Sequence, residues 1–234
     1  MSKNIQILYT GQAIEKGIEE NIPRNLAIDT IPFIETALST DLNTLEELHN
    51  LERENAFIVV TSQISVSWLK KNIKSVPNWS IACMKGQTQK ALVELGWEAL
   101  IQYTDTNSLE IAKKIALNTP KSTTINFVGS NQRLANLPDY LKKEGYQVKE
   151  LIAYTTTEKY QEIEKQYDAI IFLSPSAVNS FFEHYSIGEQ VALFAIGQTT
   201  ADAVSKKTRN KIIISNGNSQ LELFNTIINH YQSL

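Results

Sequence analysis

A single cysteine, Cys83, stands in 234 residues, so the chain cannot close an internal disulfide on itself. In "WSIACMKG" it lies among apolar neighbours, the setting of a small buried hydrophobe. Histidine is almost as scarce. His49, His184 and His230 lie far apart with no companion at metal-ligand spacing, which gives a histidine-based metal site no support. No apolar run reaches the ~20 residues a bilayer span needs, and "MSKNIQ" lacks the hydrophobic segment of a secretory signal, so stable membrane association is not expected and a cytoplasmic protein is. An excess of one charge is missing too: 22 basic against 25 acidic residues leave a net charge of -3, with no bulk attraction to nucleic acid. Neither "MKGQTQ" nor "AIGQTT" carries the glycine-lysine pair of a phosphate loop, and no serine has the flanking glycines of a nucleophile elbow. Trp68, Trp79 and Trp97 come without a basic pattern, so they read as packing residues rather than a base-stacking platform.

What is present is a long internal repeat. "VVTSQISVSWL" (59–69) aligns with "IFLSPSAVNSFF" (171–182), putting Ser62 on Ser174 and Val66 on Val178, 112 residues apart. "MKGQTQKAL" (84–92) aligns with "AIGQTTADAV" (195–204), putting Gly86 on Gly197 and Thr88 on Thr199, 111 residues apart. "YTDTNSLE" and "ISNGNSQLE" match at Asn107/Asn218 and Ser108/Ser219, again 111 apart. Three ordered blocks at nearly one spacing point to two similar domains rather than to a solenoid.

Each block has one grammar: a short apolar strand, a hydroxyl or glycine, then a helical pattern. Strands are predicted over 5–9, 57–61, 80–83, 100–103, 124–128, 169–173, 191–195 and 211–214, with helical spacing in "SLEIAKKIAL" and "NLPDYLKKEGY". This alternation predicts an α/β fold of two similar parallel-sheet domains covered by helices. The first strand has no full copy of the repeat around it. The economical arrangement is a discontinuous domain of residues 1–30 plus 158–234. Residues 41–148 are then inserted into it through a two-stranded linker, 31–40 and 149–157.

The polar residues fall where strands should end. Ser174 can cap a helix whose first position is Pro175, with Ser176 in the first turn; Thr61 and Ser62 hold the matching place. Gly197 with Thr199, and Gly86 with Thr88, repeat the pattern. Any one of these residues can be a cap and nothing more. As matched sets at the carboxyl edges of parallel strands, they form a surface on which backbone N–H groups can hold a multiply anionic small molecule. "INFVGSNQRLANLPDYLKKEGYQV" adds Gly129, which either admits ligand or makes a turn, Asn131, which caps the next helix or binds ligand, and Arg133, which can reach a carboxylate. Leu134, Leu137 and Leu141 read as helix packing, and Gly145 as a helix stop.

Taken together, "VVTSQISV", "KGQTQKAL", "INFVGSNQRLANLPDYLKKEGYQV", "AYTT", "IIFLSPSAVNSFF" and "FAIGQTTADAV" resemble the uroporphyrinogen-III synthase family, in the family's order and over most of residues 55–204. The resemblance implies two α/β domains on a two-stranded linker, with hydroxymethylbilane, a linear tetrapyrrole bearing many carboxylates, between them. It implies a cyclising lyase of tetrapyrrole and haem biosynthesis, monomeric, with no metal, nucleotide or redox cofactor. Thr61, Ser62, Ser174, Pro175, Ser176, Gly197 and Thr199 fall on its cleft motifs, and Tyr154 on its tyrosine near the second connector, where a hydroxyl can assist the leaving group. Gly11 stands where the family often has arginine, the segment from Gln12 to Arg24 is short, and Ser219 replaces a frequent threonine. Two other readings fit the same residues: a tetrapyrrole receptor without activity, and an unrelated anion-binding α/β protein.

Overall fold

The computed structural model describes residues 4–132 and 136–232. The chain divides into two compact units: residues up to Glu35 together with those from Thr157 on, and Thr36–Thr156. Each is built around its own sheet.

The first unit carries the five-stranded sheet β11-β10-β9-β1-β2, whose pairs are all parallel. Its strands are β1 (Ile5–Tyr9), β2 (Leu26–Thr30), β9 (Ala169–Phe172), β10 (Ala192–Ala195) and β11 (Ile212–Ile214), with helices α6 (Pro175–His184), α7 (Gln198–Ser205) and α8 (Gln220–Gln232). Successive side chains of a strand point to opposite faces, so Ile7 and Tyr9 join one core with Phe224 and Ile227, while Leu8 joins another with Phe172, Val178 and Phe181. Continuous apolar strands are therefore required, and β9 "AIIF" is buried throughout.

The second unit carries the six-stranded order β3-β8-β7-β4-β5-β6. These are β3 (Ile34–Leu38), β4 (Ala56–Val60), β5 (Trp79–Met84), β6 (Ile101–Asp105), β7 (Ile125–Ser130) and β8 (Val148–Glu158); helices α1 (Leu42–Glu52), α2 (Gln63–Asn72), α3 (Gln87–Glu94), α4 (Ser108–Asn118) and α5 (Asn136–Lys143) cover it. β7 pairs in parallel with β4 and β8, and β5 in parallel with β4 and β6. Ile58 and Val60 face a core containing Trp68, Trp79 and Trp97; Phe57 and Val59 face a second core with Ile111, Ile115 and Leu141. The tryptophans are packing residues, and two also satisfy their indole N–H, Trp68 on Ser39 O at 2.9 Å and Trp79 on Leu51 O at 2.7 Å. Cys83 is buried, which pushes its thiol pKa up to about 11.

The chain passes between the units twice, within β3 and within β8. Local bonds fix each side of the passage: Ser39 N donates to Ala153 O in one unit, and Lys159 N to Phe33 O in the other. Strand β2 was not expected; "LAIDT" is short and ends polar, yet its five residues pair in register with β1. Gly145 ends α5 with φ +88°, the left-handed value a helix stop needs, and Tyr146 N returns to Leu141 O. No described helix is long and apolar enough to cross a membrane.

Candidate functional site

Parallel strands end on one side, so the residues that follow them share an edge. In the first unit the edge holds Ser174 after β9, Gly197 after β10 and Thr10–Gly11 after β1. In the second it holds Thr61–Ser62 after β4, Gly86 after β5 and Ser130–Asn131 at the end of β7.

Ser62 caps α2, its Oγ accepting from Ile64 N at 3.1 Å, and Ser174 caps α6, accepting from Ala177 N at 3.2 Å with Pro175 in the first turn. Thr61 and Ser176 are half-buried beside them. Gly86 and Gly197 head α3 and α7 with no side-chain cap. Their reasons for being glycine differ. Gly86 has φ +95°, a conformation that penalises any side chain, whereas Gly197 is extended at φ -172° but lies under Asn218. The matched threonines also diverge: Thr199 is exposed, while Thr88 is buried at 6%.

The helices that follow these four strand ends share a charge pattern. α2, α3, α6 and α7 have no acidic residue in the first turn, and their caps are serine or glycine. By contrast α4, α5 and α8 carry Glu110, Asp139 and Glu222 there, and α1 is capped by Asp41. At the others a carboxylate offsets the partial positive charge of the helix start; at these four none of the first-turn residues does.

Gly129 is buried within β7, and a Cβ there would collide with the Phe127 ring, so it makes room for packing rather than for a turn. Asn131 does not cap α5, which begins at Asn136. Its Oδ1 instead accepts Thr156 N at 2.8 Å and the Ser130 hydroxyl at 3.1 Å, while its own backbone N–H donates to Tyr154 O at 3.2 Å. Arg133 and Leu134 lie outside the described residues. Tyr154 follows an irregularity: Gly129 pairs with Ile152 but Ser130 with Tyr154, so Ala153 is an extra residue in β8. A bulge turns its strand, and Tyr154 packs against the same core as Leu151 and Ala153 instead of alternating away from it.

Gly11 has a physical cause. A Cβ there would run into Leu173 and the fully buried ring of Tyr9, so a basic side chain has no room at this position. The adjacent Thr10 is buried with its hydroxyl donating to Ile171 O at 2.7 Å. Asn218 stands beside the head of α7; its Oδ1 lies where a Gly197 Cβ would be 2.7 Å away. The repeat offered the only sequence clue to it. Its partner Asn107 caps α4 through Leu109 N at 2.8 Å, whereas in the first unit Ser219 accepts from Glu222 N at 3.2 Å instead.

Two α/β units with mostly parallel sheets, each with neutral-capped helix starts along its carboxyl edge, define a two-unit α/β protein. The sequence model of the family described as uroporphyrinogen-III synthase HemD matches residues 26–224, and the chain belongs to that family. No curated protein sequence matches the chain. Among solved structures it is similar to a mutant uroporphyrinogen III synthase from the extreme thermophile Thermus thermophilus, at 16% identity over 98% of this chain and 100% of that one, with a TM-score of 0.72. A uroporphyrinogen-III synthetase from Helicobacter pylori follows at 14% identity, 97% and 99% coverage and a TM-score of 0.65. A further Thermus thermophilus structure of the synthase scores 0.54 at 17% identity, covering 97% and 100%. At such identities the likeness is one of fold.

Proposed function

We propose that the chain works as a uroporphyrinogen-III synthase, closing hydroxymethylbilane with loss of water and inversion of the last pyrrole ring. In this reaction the hydroxymethyl C–O bond breaks as the pyrrole nitrogen supplies electrons, giving an azafulvene-like cation and, after protonation, water. The substituted carbon of the terminal pyrrole attacks this cation to form a spiro intermediate. That intermediate fragments, recloses through the other carbon and loses a proton. Closure without inversion gives the type I isomer, so control of substrate shape matters more than a strong nucleophile.

One observation carries the reading beyond family membership: the neutral caps and acid-free first turns of α2, α3, α6 and α7, in contrast to the other helices. A substrate with many carboxylates needs such positions, and backbone N–H groups near Ser62, Gly86, Ser174, Gly197 and Thr199 supply them without a basic patch. In this reading Thr61 and Ser176 add hydroxyls, Thr88 supports its helix from within, and Tyr154 donates a hydrogen bond to the departing hydroxyl. The passages of β3 and β8 between units serve as the linker, and the protein acts as a cytoplasmic monomer, with the linear tetrapyrrole as its partner and no nucleic acid.

Complementation tests the function. A bacterium deprived of its own synthase should regain haem synthesis when it expresses this chain. Continued dependence on supplied haem, with type I porphyrin accumulating despite soluble expression, would refute it.

A further inference from the structure

Asn131 was expected to cap a helix or to meet the substrate, and its bonds point elsewhere. Its Oδ1 spans from β7 to β8 and holds Thr156 N at 2.8 Å, while its backbone N–H holds Tyr154 O at 3.2 Å. One residue therefore grips both sides of Thr155. The grip is reinforced from beneath. Ser130 Oγ donates to Asn131 Oδ1 at 3.1 Å, accepts Gln132 N at 3.1 Å and lies 3.5 Å from Thr156 Oγ1, with Ser130 and Thr156 both buried.

The location matters because the β7–β8 pairing is irregular and ends here. The extra residue Ala153 shifts the β7–β8 register just before Tyr154, and Thr156 is the last residue of the second unit. β8 keeps β3 on its other side, but towards β7 the register resumes after the bulge only for the Ser130–Tyr154 pair and ends there. The Asn131 backbone N–H makes the last ladder bond, to Tyr154 O, and its Oδ1 carries the hold one step further, to Thr156 N.

We infer that Asn131 is a positioning residue that sets the tyrosine of the proposed reaction: its side-chain oxygen, not its NH2 group, is the functional atom, and it acts through the backbone of β8. This rests on the reading of Tyr154 given above. Removal of the oxygen lets residues 154–156 relax, which lowers turnover while leaving substrate affinity in place.

The two atoms of the amide separate this inference from direct substrate contact. Asn131→Asp keeps the acceptor for Thr156 N–H but places a negative charge near a polycarboxylate substrate. Asn131→Ala removes the acceptor, and Asn131→Leu removes it at nearly constant shape. The full chain is assayed with freshly made hydroxymethylbilane, and hydrogen exchange is read at the Thr156 amide. The expected pattern is a kcat about tenfold lower for Ala and Leu, with KM within about twofold of the parent. Asp should recover kcat to within about threefold of it. Thr156 exchange should accelerate in Ala and Leu but not in Asp, and Ala should cost nothing further in a Tyr154→Phe background. An Asp variant worse than Ala, a raised KM at constant kcat, or effects of Asn131→Ala and Tyr154→Phe that simply add would overturn the inference while leaving the tyrosine's role intact. A silent Tyr154→Phe would overturn that role first, and the inference with it.

Discussion

A Cβ on Gly197 would stand 2.7 Å from Oδ1 of Asn218, so the head of α7 stays open only because residue 197 has no side chain. The obstructing atom is the end of a flexible side chain, and the backbone at 197 is extended. Gly197→Ala should therefore fold, with the Asn218 amide pushed aside and a methyl group over the first N–H groups of α7. The expected outcome is a kcat/KM about tenfold lower, near 1.4 kcal/mol of transition-state binding, with a melting temperature within a few degrees of the parent. Steady-state kinetics beside thermal unfolding checks both halves of the statement.

Tyr154 should behave as a modest catalytic aid. Tyr154→Phe keeps the ring against the core it shares with Leu151 and Ala153 and removes only the hydroxyl. A kcat about tenfold lower, corresponding to roughly 1–2 kcal/mol, is expected, with little change in stability. Unchanged turnover and an unchanged isomer ratio would remove the hydroxyl from the mechanism.

Gly86 separates backbone strain from packing. With φ +95° and nothing within 4 Å of an added Cβ, Gly86→Ala meets no neighbour and is penalised only in conformation. A stability loss of about 1–2 kcal/mol by urea denaturation is expected.

Much of this architecture is readable in the residues. The buried runs "AFIVV", "AIIF" and "INFVGS" declare strands covered on both faces, and the Ser-Pro pair after β9 declares a cap and a first helical turn. The repeat carried the caps Ser62 and Ser174 with it. What stayed hidden depends on partners remote in sequence. The bulge at Ala153 exists only through pairing with β7, Asn131 finds its acceptor role 25 residues away at Thr156, and Gly11 is small because of Leu173. Thr88 and Thr199 have matching sequence positions and opposite burial, behind glycine caps whose backbones differ, Gly86 at φ +95° and Gly197 at φ -172°.

Acid should loosen the first unit through Asp29. Its Oδ2 accepts Lys165 Nζ at 2.9 Å and the Tyr167 hydroxyl at 3.0 Å, and the bond from Lys165 above all holds its carboxyl below the ordinary value. A depressed native pKa contributes stability above the unfolded value near pH ~4 and loses it as pH falls through the native one. Asp29→Asn should thus be less stable than the parent at neutral pH, the gap closing below about pH 4. The Asp29 side chain is 34% exposed and that of Lys165 59%, so solvent screens the pair and the gap is small; urea midpoints across the acid range would register it.

The account turns on the shape imposed upon a flexible tetrapyrrole, and product isomer analysis reads that shape directly. Purified protein mixed with freshly generated hydroxymethylbilane should yield predominantly uroporphyrinogen III, faster than the substrate closes unaided. Type I product alone, at the spontaneous rate, would contradict it.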